Sequence, residues 1–195
     1  MTKVALTGGI ATGKTYVLTR LRQGGIPTID ADEIVHEALA RGTITTKAIA
    51  LQFGSGALGP DGSVDRQVLA ARVFADADAR LRLEAIVHPV VYERILEWFA
   101  TLDRPLGVAS IHLLYETHRE SDFDAVIVTA CEPEQQLRRI VERGLSEEDA
   151  KKRMAAQIST EKKALRANFV IWTNGPVGET DAQVEELLVK LGKLK

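Results

Sequence analysis

The stretch GGIATGKT, from Gly8 to Thr15, decides how this chain is read. It fits the phosphate-binding pattern G-x-x-x-x-G-K-[ST], with Gly8, Gly13, Lys14 and Thr15 in the required places. Val4-Ala5-Leu6 just before it has the character of a short buried strand, and Val17, Leu18 and Leu21 after it recur at helical spacing. Each residue type has a chemical reason. Glycines let the backbone turn tightly, so that successive N–H groups and the start of a helix face an anion. Lys14 is expected to be an exposed, mobile cation for the β- and γ-phosphates, and the Thr15 hydroxyl a ligand for Mg²⁺. A plain Gly-rich turn is the alternative, but the complete motif in its strand–helix setting points to a nucleoside triphosphate site.

Working outward, apolar strand candidates recur at Val4–Leu6, Thr28–Ile29, Leu106–Ser110, Ala125–Thr129 and Phe169–Trp172, with helical stretches between them. That alternation predicts a parallel sheet covered on both faces. The segment 34–102 is expected to be a wholly helical insertion, including helices near Thr46–Phe53, Arg66–Phe74 and Ala79–Leu102. Pro89 should kink the last of these or begin a new helix. Residues 133–166 are rich in charge and fit either a solvated helix pair or a mobile lid that brings arginines over the phosphates. The core would then comprise 1–33, 103–132 and 167–195, closed by a packing helix near Glu179–Lys190.

The bulk properties narrow the class. A chain of 195 residues that is 45% hydrophobic can bury a substantial core. Its 25 basic and 27 acidic residues give a net charge of −2 and no reason to expect nucleic acid or a membrane surface as partner. The single cysteine, Cys131, excludes an intrachain disulfide and is expected to pack rather than react. No apolar run approaches the length of a membrane span and no signal segment precedes the phosphate loop, so a soluble cytoplasmic protein is expected.

Phosphoryl transfer needs a group to take the acceptor proton. Asp30-Ala31-Asp32 follows the second strand, where open α/β sheets bind ligands. Asp30 is better placed to cap the next helix, which leaves Asp32 favoured as the base, with the reverse assignment still open. His88 either packs or touches substrate; His36, His112 and His118 show no metal-ligand spacing.

Together these features resemble the dephospho-coenzyme A kinase family along nearly the whole chain. LTGGIATGKT is similar to that family's phosphate loop, and IDAD (Ile29–Asp32) to its strand-end acidic motif, whose second Asp is the catalytic base. His88-Pro89 matches its His-Pro, and Leu113-Leu114-Tyr115-Glu116 its Leu-Leu-Phe-Glu. Gln136, Arg139, Arg143, Arg153 and Gln157 follow its lid pattern, and the stretch from Ala167 to Gly175 its last strand and adenine-side loop. The resemblance implies a three-layer α/β P-loop kinase fold with a parallel sheet of about five strands, an inserted helical substrate region and a helical lid. It implies ATP-dependent phosphorylation of the ribose 3′-hydroxyl of dephospho-coenzyme A, with Mg²⁺, in a monomer or weak homo-oligomer. Residues Gly9 to Tyr16 (Gly9, Ile10, Ala11, Thr12, Gly13, Lys14, Thr15, Tyr16), with Arg139, Arg143 and Asn174, would bind ATP. Thr7, Asp32, His88 and Leu114 would meet the acceptor, and Asp32, Lys14, Arg139 and Arg143 would carry catalysis.

The chain departs from the family pattern at Ala11-Thr12, Tyr16, His112 and Asn168, where Gly-Ser, a small hydroxyl residue, Pro and Asp are usual. Ala11 is therefore expected to avoid the positive φ that glycine takes freely. The rivals are a nucleoside monophosphate kinase, disfavoured by the early acidic motif and long insertion, and a nucleotide switch, disfavoured by the lack of an Asn-Lys-x-Asp segment.

Overall fold

Every strand expected from the sequence is present in the computed structural model, which describes residues 1–193. In chain order the elements are β1 (Thr2–Gly8), α1 (Lys14–Gln23), β2 (Thr28–Asp30), α2 (Ala31–Ala38), α3 (Ile44–Phe53), α4 (Arg66–Ala75) and α5 (Ala77–Thr101). They continue with β3 (Leu106–Ser110), β4 (Ala125–Ala130), α6 (Pro133–Glu142), α7 (Glu147–Ala155), α8 (Thr160–Leu165), β5 (Phe169–Trp172) and α9 (Val177–Gly192). The last two positions of the expected core segment 167–195 lie outside the described residues.

The chain divides into two compact units, one made of Met1–Ile29 and the chain from Leu102 onward, the other of Asp30–Thr101. Helices α6 to α8, read from the sequence as a lid, belong to the first unit.

In the first unit the strands follow the order β2-β3-β1-β4-β5, and the β1–β3, β1–β4 and β4–β5 pairs are parallel. Parallel strands covered on both faces need continuous apolar runs rather than alternation. β3 and β4 supply them, buried at every residue. The registers Leu6↔Ser110 and Gly8↔Thr129 bring the ends of β3 and β4 level with the end of β1, so the central strand delivers the phosphate loop between two neighbours. On one side of the sheet Val17, Leu18 and Leu21 of α1 join Val184, Leu187 and Leu191 of α9 in a single core with Leu6, Val108 and Ile127. Asn168, where an Asp is usual, takes part in this ladder: its Oδ1 accepts the Val126 N–H at 2.8 Å and its own N–H donates to the Val126 carbonyl at 3.0 Å.

The second unit is a helical cluster built around α5. Ala79, Val87, Val91, Ile95 and Phe99 form a buried stripe, mostly at four-residue spacing, against which α2, α3 and α4 pack. Caps set the ends of its shorter helices: Thr43 Oγ1 accepts the Thr46 N–H, and Asp65 accepts from Gln67 and Val68. The unit is not wholly helical, because Leu58 and Val64 form an antiparallel bridge. Nor does Pro89 start a new helix, since α5 runs unbroken from Ala77 to Thr101. Proline removes a single N–H, and the buried stripe on both sides of it holds the helix together.

Leu187 is 2% exposed within the core under α1 and α9. Leu187→Ala should lower unfolding free energy by about 2–5 kcal/mol in chemical denaturation, through lost transfer energy and a residual cavity. A loss well under 1 kcal/mol would contradict that packing.

Candidate active site

β1 ends at Gly8 between β3 and β4, and residues 9–13 form the loop that leads into α1. Gly8 is required by close approach: a Cβ there would lie 2.3 Å from Thr129 Oγ1 and 2.8 Å from the Thr129 carbonyl oxygen. Gly13, which caps α1, is left-handed at φ +86°. Ala11 is left-handed too, at φ +60°, so the expectation that it avoids this region is overturned. The cost of the conformation is roughly 1–2 kcal/mol for a residue with a Cβ. It is offset by the surroundings, for Ala11 is only 8% exposed and packs with Ile140 and Ala150.

What fixes the loop is the set of donors behind it. Every carbonyl from Gly8 to Gly13 accepts a hydrogen bond. Lys163 Nζ reaches the Gly8 oxygen at 3.3 Å, and Thr12 Oγ1 reaches that of Gly9 at 2.8 Å. Gln136 Nε2 donates to Ile10 at 2.6 Å and Arg139 to Ala11 at 3.4 Å. Thr173 Oγ1 donates to Thr12 at 3.1 Å, and the Val17 N–H to Gly13 at 3.1 Å. In a planar trans peptide a tethered carbonyl aims the following N–H the opposite way. The N–H groups of Ala11 and Gly13 are thus turned away from the donors, beside the first turn of α1, which has no side-chain cap and no acidic residue. This is an anion site.

Ile10 differs from its neighbours. Its N–H donates to Gln157 Oε1 at 2.9 Å while its carbonyl accepts from Gln136, so both backbone groups are engaged, by α6 and by the segment joining α7 to α8.

Lys14 is not the exposed cation the motif suggested. It is 5% exposed, and its Nζ donates to Ser110 Oγ, at the end of β3, at 2.5 Å. Ammonium groups need acceptors when buried, and the register of β1 with β3 places this hydroxyl beside the loop. Thr15 is exposed in the first turn of α1. The Tyr16 hydroxyl points to α9, donating to Asp181 Oδ1 at 2.6 Å, which leaves only its backbone for a cradle.

Arg139 also departs from expectation. Its guanidinium donates to Thr173 Oγ1 at 2.9 Å and to the Thr173 carbonyl at 2.5 Å as well as to Ala11, so it buttresses the loop rather than standing free above it. Arg143, one turn later, is exposed at the end of α6. Asn174 Oδ1 accepts the Glu132 N–H at 2.7 Å, tying the segments after β4 and β5. Thr7 and Leu114 are both 0% exposed: the Thr7 hydroxyl donates to the His112 carbonyl, and the Leu114 side chain lies in the core, so neither side chain is presented to an acceptor. Cys131 is a packing residue as expected, its thiol pKa pushed up by burial.

In the second unit, Asp30 caps α2 by accepting the Asp32 N–H at 3.1 Å, which decides the capping role within IDAD. Asp32 is exposed in the first turn of α2, and His88 is half-buried on α5.

The sequence reading missed Ser110, Thr129, Lys163 and Thr173. Three are hydroxyl residues at or just past strand ends, a place that itself could have flagged them.

A parallel sheet whose central strand runs into a tethered phosphate loop, with charged helices α6 to α8 following β4, defines a P-loop kinase. Comparison with known proteins refines this: the dephospho-CoA kinase family model matches residues 2–179, and the chain belongs to that family. It is 44% identical over 186 residues to the dephospho-CoA kinase of Symbiobacterium thermophilum, covering 93% of this chain and 78% of that one. It is 41% identical over 194 residues to that of Geobacter sulfurreducens, covering 97% and 98%. The structure of the dephospho-CoA kinase from Campylobacter jejuni superposes with a TM-score of 0.74 at 28% identity, over 98% of this chain and 97% of that one. Among the described residues no helix is long and apolar enough to cross a membrane.

Gly8→Ala should disrupt the loop, because the new methyl meets backbone as well as a hydroxyl. Overpacking of this kind costs about 1–3 kcal/mol of stability. ATP binding by calorimetry should be lost, and an affinity equal to that of the parent chain would show the close approach to be dispensable.

Proposed function

We propose that this kinase transfers the γ-phosphoryl group of ATP to the ribose 3′-hydroxyl of dephospho-coenzyme A. The observation that carries the nucleotide half of the reading is the phosphate loop, whose Gly8, Ile10, Ala11 and Thr12 carbonyls are held from behind by Lys163, Gln136, Arg139 and Thr173. The acceptor half is supported by membership of the dephospho-CoA kinase family.

In the reaction the 3′-oxygen forms a bond to the γ-phosphorus as the bond from that phosphorus to the β–γ bridging oxygen breaks. ADP leaves, and the hydroxyl proton passes to a base. Asp32 is the base of this reading, an exposed carboxylate whose neighbour Asp30 already serves the helix cap. Lys14 swings from Ser110 to the β- and γ-phosphates, an exchange of one acceptor for stronger anionic ones. Arg143 approaches from the end of α6, while Arg139 acts by holding Ala11 and Thr173 in place. A cavity of about 780 Å³ lies among α6, α7 and α8, lined by residues that include Leu137, Met154, Ile158 and Trp172.

Mg²⁺ fits the donors present. The Thr15 hydroxyl sits exposed on the first turn of α1, and among the described residues there is no cluster of three or more His, Cys, Asp or Glu. A site of one hydroxyl completed by phosphate oxygens and water suits this ion, which keeps much of its hydration. When bound it neutralises charge on the phosphates.

The test is a panel of acceptors with ATP and Mg²⁺. ADP should form with dephospho-coenzyme A well above the ATP-only background, and coenzyme A, already phosphorylated at that position, should be inert. Equal turnover of a nucleoside monophosphate would overturn the assignment. Asp32→Asn should lower kcat by roughly 10²–10⁴-fold and leave ATP affinity intact, whereas Asp30→Asn, which preserves the cap, should keep most activity. Lys14→Met, which retains the buried stem, should abolish transfer without unfolding the chain.

A further inference from the structure

Lys163 is a charge with no contact with water. It is 0% exposed on α8, and an ammonium in that position is expensive unless each of its three donors is answered. Here each is. Nζ lies 2.8 Å from Glu116 Oε1, 3.3 Å from the Gly8 carbonyl oxygen and 3.4 Å from that of His112. The same Glu116 oxygen accepts the Ile158 N–H at 2.9 Å, and the same His112 carbonyl accepts from Thr7 Oγ1 at 3.2 Å. One ammonium therefore joins the end of β1, the turn after β3 and the helix α8, all within the first unit. An apolar side chain of similar length would fill the space with less desolvation. It would have nothing to offer the two carbonyls.

We infer that Lys163 is a positioning residue of the nucleotide site, fixing the Gly8 carbonyl and hence the entry of the phosphate loop, with Glu116 as the counter-charge that lets it be buried there. The Gly8 carbonyl is held by a fully buried charge. Its peptide unit sets the direction in which the chain leaves β1, and Gly9 follows with no Cβ room, since a methyl would lie 2.6 Å from Thr160 Oγ1 on the same helix α8. The segment just before α8 joins the same network: Gln157 Oε1 accepts the Ile10 N–H, and the Ile158 N–H donates to Glu116. Lys163 and this segment thus reach the first and the third residue of the loop.

The inference rests on the loop being the ATP site and is independent of the acceptor, so the test reads ATP affinity by calorimetry on the full chain, with the melting temperature alongside. Lys163→Met alone strands the Glu116 carboxylate and should lower the melting temperature. The pair Lys163→Met/Glu116→Gln removes both charges and should recover most of that loss. ATP Kd in the double variant should nonetheless stay raised by roughly tenfold or more, and kcat lowered by up to about 10²-fold, as displacement of a positioned group does. A merely structural role would instead give fewer competent molecules of unchanged Kd. Lys163→Arg keeps the cation and several donors and should hold Kd within about threefold.

A folded double variant that binds ATP like the parent chain overturns the inference. If the double variant does not fold, the arginine variant decides: folded, with its ATP Kd raised tenfold or more, it overturns the inference equally. A parent chain that fails to bind ATP would instead overturn the nucleotide site itself.

Discussion

A peptide unit cannot turn its carbonyl and its N–H to the same side, and the active end of this molecule is organised around that constraint. An anion can be held by backbone N–H groups only if the carbonyls of the same loop are satisfied elsewhere. Here four of them are satisfied from three directions, by Gln136 and Arg139 of α6, by Lys163 of α8 and by Thr173 just beyond β5, while Thr12 and the Val17 N–H serve those of Gly9 and Gly13. The loop's shape is thus a property of the unit that surrounds it. Even the left-handed Ala11 is explained this way, since both carbonyls that flank its Cα are held by the same helix.

That arrangement gives α6 two duties. Gln136, Arg139 and Ile140 lie within about one turn, so the face that meets the phosphate loop and the face that packs on it largely coincide. Arg143 falls at the helix end, beyond that face. A helix read from its charge as a lid is in this structure also the back wall of the site. Gly144, at φ +93°, follows Arg143 and separates α6 from α7, so the helix that backs the loop ends at a turn only glycine takes freely.

The fold was legible in the sequence because its signals are long-lived averages. Buried parallel strands announce themselves as apolar runs, and Leu106–Ser110 and Phe169–Trp172 were placed to the residue. The helical unit showed itself through periodicity, except for the short Leu58–Val64 bridge, which is too brief to leave a pattern. The motif-bearing part of the site was legible for a different reason, since phosphate binding demands particular residues at fixed spacing. What escaped was everything that depends on a side chain's direction. Lys162 and Lys163 are adjacent lysines in a charged run, and only the turn of α8 against β4 sends one to solvent and buries the other. Arg139 reads as a phosphate ligand by type, while its actual partners, a carbonyl and a hydroxyl of Thr173, lie 34 residues away. The burial of Lys14 likewise depends on which residue ends the neighbouring strand.

The position of the second unit in the chain bears on how the sheet assembles. β2 ends at Asp30 and β3 begins at Leu106, so residues 31–105, with nearly all of the second unit, intervene between two strands that are neighbours in the sheet. Loop-closure entropy rises only logarithmically with length, by about 0.6 kcal/mol for each doubling. An insertion of this size therefore adds little to the free energy of bringing β2 and β3 together. Its helices pack chiefly on α5, which meets α4, its neighbour in sequence, and also α2 and α3 farther back in the chain. The larger share of loop-closure entropy falls on pairings with large sequence separation inside the sheet, such as β1 with β3, and without β2 the strand β3 would itself be the sheet's open edge.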